Sequence, residues 1–99
     1  MMETIERDGF AAEVGTGFIL NAAGGHSVEI KLVTVSELKE RPSNRSFSIV
    51  FQVPDGFTVE QGLYDLDHER MGTLQLFLVP VGDNRLESVF NLLIDTADG

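Results

Sequence analysis

The chain has 99 residues, of which 42% are hydrophobic and 23% are charged, so its length and composition fit one globular domain over residues 1–99. Sixteen acidic residues against seven basic ones give a net charge of −9, which disfavours nucleic acid and anionic membranes because both recruit lysine and arginine. There is no cysteine, so disulfides, thiolate metal sites and cysteine nucleophiles are excluded.

The first residues carry no targeting pattern. No basic segment followed by an apolar one precedes residue 9, so we expect no secretory signal and a loose segment over residues 1–8. The longest apolar run, Leu76 to Val81, has the length of a strand and not of a membrane span. We therefore expect the protein to be cytoplasmic at synthesis.

Two short helical turns are predicted. Asp8 can cap a turn that runs through Glu13, although the residues from Phe10 to Leu20 also fit a strand. The sequence Ser-Glu-Leu-Lys-Glu over residues 36–40 predicts a second turn, which Pro42 would stop.

Four segments alternate apolar and polar residues with the two-residue period of a half-buried strand. The clearest is the segment around Phe47, Ile49 and Phe51, whose neighbours on the other face are serines. One wet face is typical of an antiparallel sheet. The four predicted strands are Val28–Val35, Phe47–Val53, Leu63–His68 and Leu86–Asp95.

A fifth predicted strand, Leu74–Val79, is apolar on both faces. Leucines 74, 76 and 78 form one face, and Phe77, Val79 and Val81 form the other. Either Phe10, Ile5 or Leu38 covers the second face, or that face and the strand edge are open to a partner, with Leu78 and Val79 as contact residues. Pro80 lacks an N–H, so the end of this strand should lie at an edge or a bulge.

Together these elements predict a mainly β fold: a small antiparallel barrel or a two-layer sandwich of about six strands, with one or two short helical turns. Gly72 lies in a predicted turn, where a positive φ is available to glycine. The predicted core contains Phe47, Ile49, Phe51, Leu66, Leu76 or Phe77, and Phe90. The order of the strands does not follow from the sequence.

Catalysis has no support in the sequence. The two histidines are His26 and His68, and the sequence has no serine in an activating turn for which either could act as the base. The two also form no zinc-binding helical pair. Gly15-Thr16-Gly17 is only a fragment of a nucleotide-binding loop. We expect no enzyme, no catalytic residue and no cofactor.

The densest polar cluster is acidic. Asp65 and Asp67 share one strand face, where two carboxylates could meet a hard cation such as calcium. A solvated outer face is the favoured interpretation, because the ligands are too few, and no metal site is predicted. His68 is interpreted as a strand-end histidine with a backbone partner.

Three of the seven basic residues, Lys39, Arg41 and Arg45, fall within residues 36–45. They could dock an acidic partner or a second copy of the chain, although Glu37 and Glu40 among them favour partial neutralisation in a solvated loop. They are the second set of candidate partner-binding residues.

Several phrases resemble an uncharacterised family of small bacterial domains of unknown function. The resemblance covers nearly the whole chain after residue 9, and its most specific part is Leu-Phe-Leu-Val-Pro-Val-Gly at residues 76–82. The other matching phrases are residues 32–38, 46–51, 61–68 and 89–91. The resemblance implies no activity. It implies an association with phage-tail-collar-like proteins, and so an accessory or structural role in an assembly.

The function expected from the sequence is a non-enzymatic protein-binding or assembly module that binds a protein partner or a second copy of itself. The alternative is a small-molecule or ion-binding β-barrel, supported by Asp65 and Asp67 and by the number of strands. An apolar surface strip would favour the module, and a closed polar pocket would favour the barrel.

Overall fold

The computed structural model describes residues 7–42 and 44–93, which form one short helix, one 3-10 turn and seven strands. The elements in chain order are α1 (Arg7–Ala11), β1 (Gly17–Asn21), the 3-10 turn (Ala23–Gly25), β2 (Ser27–Val35), β3 (Lys39–Arg41), β4 (Asn44–Gln52), β5 (Gly62–His68), β6 (Gly72–Pro80) and β7 (Arg85–Leu93). All five predicted strands are confirmed to within a few residues at each end. Residues 94 and 95 of the last predicted strand, and 1–6 of the predicted loose segment, lie outside the described residues.

The sheet closes on itself. Its strand order is β2-β1-β5-β6-β7-β4-β3. An additional antiparallel pairing joins β2, at one end of this order, to β4. Six strands therefore form a closed antiparallel barrel, and β3 extends it beside the first residues of β4. The predicted barrel is confirmed, and the alternative sandwich is not formed. Closure leaves fewer free strand edges than an open sheet would have.

The inward residues of the barrel form one apolar core. Of the predicted core residues, Phe47, Ile49, Phe51, Leu66 and Leu76 are buried, and Phe90 packs against them. The remaining buried apolar residues are Phe10, Phe18, Leu20, Ile30, Leu32, Val53, Leu78 and Leu86. These side chains fill the interior, as is usual in barrels with few strands.

Helix α1 closes the end of this core that contains Phe47 and Phe90. Its only buried side chain, Phe10, lies 5.4 Å from Phe90 and 6.3 Å from Phe47 between ring centroids. The rings of Phe47 and Phe90 stack at 4.7 Å. Both interpretations of the N-terminal region hold in part, since a helix forms first and a strand begins at Gly17. Among the residues that the structure describes, no helix is long and apolar enough to cross a membrane.

The predicted helical turn over residues 36–40 is wrong. Lys39 pairs with Ser46 and Arg41 with Asn44, so these residues form strand β3 of a hairpin with β4. A helix of five residues is too short to be stable alone. Continued pairing with β4, which also binds the Ser36 amide through the Ser48 carbonyl at 2.8 Å, decides the conformation.

A tight turn joins β6 to β7. The Arg85 amide donates to the Gly82 carbonyl at 2.9 Å, and Asp83 and Asn84 have φ of 50° and 61°. Two positive φ values in succession are those of a type I′ turn, which matches the twist of the flanking strands. Gly72, in the β5–β6 turn, has φ of 79°, as predicted.

Above that turn β6 and β7 soon part. They pair at only two positions, Val79 with Glu87 and Pro80 with Leu86. Within the described residues, residues 72–78 of β6 pair only with β5, while β7 stays paired with β4 along its whole length, Arg85–Leu93. We call the opening between residues 72–78 of β6 and residues 88–93 of β7 the seam. The β5 ladder ends at Leu78, so the missing N–H of Pro80 falls where β5 offers no partner, which confirms the predicted edge position.

Candidate functional site

The outer face of β5, β6 and β7 carries an apolar strip, which we define as Leu63, Phe77, Val79 and Val89. Leu63 and Phe77 are directly paired across β5 and β6, and their exposed fractions are 60% and 49%. Val89 is 61% exposed on β7, and Val79 is half-buried. Exposed apolar groups gathered on one sheet face are a feature of interaction surfaces.

Strand β6, which is apolar on both faces, therefore has one face covered by the barrel core and one face open to solvent. Leu78 is completely buried, so its predicted contact with a partner is corrected: it belongs to the core. Val79 lies at the surface as a half-buried member of the strip. Phe77 is the exposed aromatic residue of this strand and not the core residue that one prediction allowed. Of the residues proposed to cover it, Phe10 is inside the barrel, Leu38 is exposed, and Ile5 lies outside the described residues.

Sequence reasoning missed Leu63 and Val89. Both occupy outward positions of strands that otherwise carry polar residues there, such as Asp65 on β5 and Asn91 on β7. An apolar residue at a polar position of an alternating strand is the signal that could have found them. That they lie on the same outer face as Phe77, with Leu63 directly opposite it, depends on strand order, which the sequence did not reveal.

The flank of the strip is acidic. Asp67 accepts hydrogen bonds from Thr73 Oγ1 at 2.8 Å and from Asn21 Nδ2 at 3.0 Å, and these bonds lower the pKa of its carboxyl. Asp65 accepts from Gln75 Nε2 at 3.3 Å. No group of three or more histidine, aspartate or glutamate side chains in residues 7–42 and 44–93 is placed to share a metal ion. The acidic pair is thus a hydrogen-bonded outer face.

The three basic candidates lie elsewhere, on the β3–β4 hairpin. Arg45 forms an exposed ion pair with Glu40 at 3.3 Å across the hairpin. Lys39 and Arg41 point to the opposite side, since neighbouring residues of a strand alternate between faces. Strands β4 and β7 separate this hairpin from β6, so the structure does not bring the basic candidates to Val79.

A buried polar network joins the end of α1 to the β5–β6 turn. His68 Nδ1 accepts the backbone amides of Arg70 and Met71 at 3.0 and 3.1 Å, which confirms the predicted backbone partner. The proton is therefore assigned to Nε2, which lies 2.9 Å from Thr16 Oγ1. Thr16 in turn donates to the Glu13 carbonyl at 2.7 Å.

Glu13 completes this network through its side chain. Its carboxylate receives Arg70 Nε at 3.0 Å and Nη2 at 2.5 Å, a two-pronged ion pair. The Arg70 hydrogen bonds hold the pKa of the Glu13 carboxyl below its usual value. These side chains all have partners within the fold, so the network fastens α1 to the barrel. Sequence reasoning missed Glu13 and Arg70 because 57 positions separate them.

Acid should abolish the stabilisation that the Glu13–Arg70 ion pair provides. A carboxyl whose pKa is lowered by folding stabilises the fold above its unfolded pKa of about 4.3, and the stabilisation is lost as the pH falls through the lower folded pKa. At pH 7 we expect Glu13→Gln to melt several degrees below the parent, and we expect the two to converge once the pH lies below the folded pKa. Circular dichroism melts in buffers from neutral to strongly acidic measure this, with exposed Glu37→Gln as the control. A difference that persists unchanged in acid would contradict the role of the ion pair.

An open cleft lies beside the connection between β1 and β2. It has a volume of about 530 Å³ and an apolar floor that includes Leu20, Val28 and Tyr64. His26, Glu60 and Phe57, the last from the β4–β5 loop, also line it. The Tyr64 hydroxyl donates to the Glu60 carbonyl at 2.7 Å, which fixes one side of the cleft.

Comparison with known proteins bears on most of the chain. A family model described as Domain of unknown function (DUF6916) matches residues 5–90. The chain belongs to this family. No curated protein and no solved structure matches it. The DUF6916 match includes β5, β6 and the exposed part of β7, so the apolar strip lies within the family domain.

Proposed function

We propose that this DUF6916 domain is a non-enzymatic protein-binding module that docks through the apolar strip. The observation that carries the proposal is the open second face of β6, where Phe77 stands exposed beside its β5 partner Leu63, with Val89 exposed on the outer face of β7. Burying such side chains contributes roughly 25 cal/mol per Å² of apolar area. A partner that covers the strip would gain this free energy without any change in the barrel.

The charge around the strip supports a partner with basic side chains. Strands β5 and β6 carry Asp65 and Asp67 and no lysine or arginine, and Glu87 of β7 pairs with Val79. The net charge of −9 opposes the approach of a second copy. We therefore favour a different protein over self-association, although the chain's own basic hairpin leaves a second copy as the outcome to test.

Within this proposal, the finer role is that of an accessory or structural subunit of a phage-tail-like bacterial assembly, synthesised in the cytoplasm. The family resemblance is its support. A small barrel with one exposed apolar face is suited to such a role, because a structural subunit of an assembly needs a defined binding surface and no catalytic site.

Site-specific photo-crosslinking tests the proposal. A photoreactive phenylalanine analogue replaces Phe77 in the full chain, in cells of its source organism, and in a second variant it replaces Val14, which is similarly exposed but lies outside the strip. We expect one discrete protein adduct from position 77 and none from position 14. Adding Leu63→Lys to the position-77 variant should abolish the adduct, because it places a charge on the strip beside the crosslinker. Equal adducts from positions 77 and 14, or none from either, would overturn the proposal.

The alternative function, a small-molecule or ion-binding barrel, is favoured by the cleft between Phe57 and Tyr64. If a cation instead binds at Asp65 and Asp67, calcium should raise the melting temperature by mass action. We expect low-millimolar calcium to raise it by less than about one degree, because two carboxylates supply too few of the ligands that calcium takes. A shift of several degrees that Asp65→Asn removes would favour this alternative.

A further inference from the structure

The seam exposes a strand edge that lacks a ladder partner. Residues 72–78 of β6 pair with β5 on one side, and in the described ranges 7–42 and 44–93 no strand pairs with their other side. The Val81 amide donates across to the Arg85 carbonyl at 2.9 Å, so the backbone of Val81 faces β7. Since backbone groups alternate along a strand, those of Phe77 and Gln75 face the seam.

The edge formed by β3 is built differently. Strand β3 is only three residues long, and all three, Lys39, Glu40 and Arg41, are charged and exposed. Short, charged edges are how proteins prevent unwanted strand pairing. Strand β6 has nine residues, none of them charged, and Phe77 stands exposed on it. Within residues 7–42 and 44–93, the fold therefore protects one edge and leaves the longer, apolar edge without a strand partner.

The surroundings of the seam specify the chemistry of an added strand. Toward the interior lie Phe90 and Met71, which are apolar and partly buried, with Phe10 behind them. Toward the solvent lie Phe77 and Val89, with Glu87 on the same outer face. An added strand would place alternate apolar side chains inward and alternate basic side chains outward, where lysine stems cover apolar groups and ammonium groups reach carboxylates.

We propose that the partner adds an extended strand to the free edge of β6, antiparallel like every other pair in this sheet, and that this strand alternates apolar and basic residues. The inference rests on the proposed function and specifies how the same site binds. The occupant is a segment of another protein, because an acidic second copy would bring more carboxylates to an acidic surface.

Amide hydrogen exchange on the full chain gives the first test. In the free protein the amides of Gln75 and Phe77 should exchange fast, while those of Leu76 and Leu74, which face β5, should be protected. Adding a short peptide that alternates lysine and valine should protect Gln75 and Phe77 selectively. Protection of both amides before any peptide is added would overturn the proposal, and sedimentation of that sample would show whether a second copy covers the edge.

A matched peptide separates strand addition from attraction between charges. The same peptide, methylated on the backbone nitrogens of its lysines, keeps every charge and side chain. It loses the backbone N–H donors that would face β6, because the outward lysines would lie opposite Phe77 and Gln75 in an antiparallel pair. We expect it to bind about tenfold or more weakly, because several backbone hydrogen bonds are lost. Phe77→Lys should weaken binding of the unmethylated peptide, and Val14→Lys should not. Equal binding of both peptides would overturn the proposal.

The two proposals fail in different ways. If photo-crosslinking at position 77 identifies a partner but the partner leaves the Gln75 and Phe77 amides unprotected, the strip binds proteins without strand addition. If position 77 yields no more adduct than position 14, the docking function itself is lost.

Discussion

Leu78→Lys should abolish most of the stability of the domain. Leu78 is completely buried in the barrel core, and the buried residues described beside it on β6 are apolar, so an ammonium group there would have no carboxylate on its own strand to pair with. Leaving an unpaired charge in a core costs ~3–5 kcal/mol, a large share of the roughly 5–15 kcal/mol that stabilises a domain of this size. We expect the melting temperature to fall by more than about 10 °C, or the variant to be unfolded.

The neighbouring outward position supplies the control. Phe77→Lys places the same charge on the same strand, one residue away, but on the open face. Its melting temperature should stay within about 4 °C of the parent, because surface substitutions usually change stability by less than about 0.5 kcal/mol. Val79→Lys, at a half-buried position, should fall between the two. Thermal melts and sedimentation of all three variants measure this, and equal losses for Leu78→Lys and Phe77→Lys would contradict the assignment of inner and outer faces.

Phe10→Ala should produce the second large effect. Phe10 is fully buried and contacts the rings of Phe47 and Phe90, so its removal leaves a cavity where α1 plugs the barrel. Truncating a buried phenylalanine costs ~3–5 kcal/mol. For a domain of this length, that loss lowers the melting temperature by more than about 10 °C.

Phe57→Ala is the matched control for this prediction. Phe57 is the same residue type but is half exposed in the β4–β5 loop, so its truncation removes little buried area. Circular dichroism melts of the two variants should therefore differ by most of the Phe10 effect. A loss after Phe57→Ala as large as that after Phe10→Ala would contradict this assignment, because the loop would then close the core as much as α1 does.

The local pattern of the chain was sufficient for strands β2, β4, β5, β6 and β7. Alternation over a few residues identifies a strand and its buried face, because the side chains of a strand alternate by geometry. Phe47, Ile49 and Phe51 were predicted in this way to share the core, and they do. The same reasoning failed over residues 36–40, where a weak helical preference met a strand partner, β4, that lies in the chain after them.

The sequence alone was sufficient for a mainly β domain, five of its seven described strands and part of its core. Tertiary structure alone decided the candidate site. Whether Leu78 or Phe77 faces the core depends on which face of β6 the barrel encloses, and both faces are apolar. The exposure of Leu63 and Val89 on the outer faces of the two strands that flank β6, the pairing of Glu13 with Arg70 and the short pairing of β6 with β7 all depend on contacts between residues distant in the chain. Such contacts follow from strand order and barrel closure, which short-range periodicity does not encode.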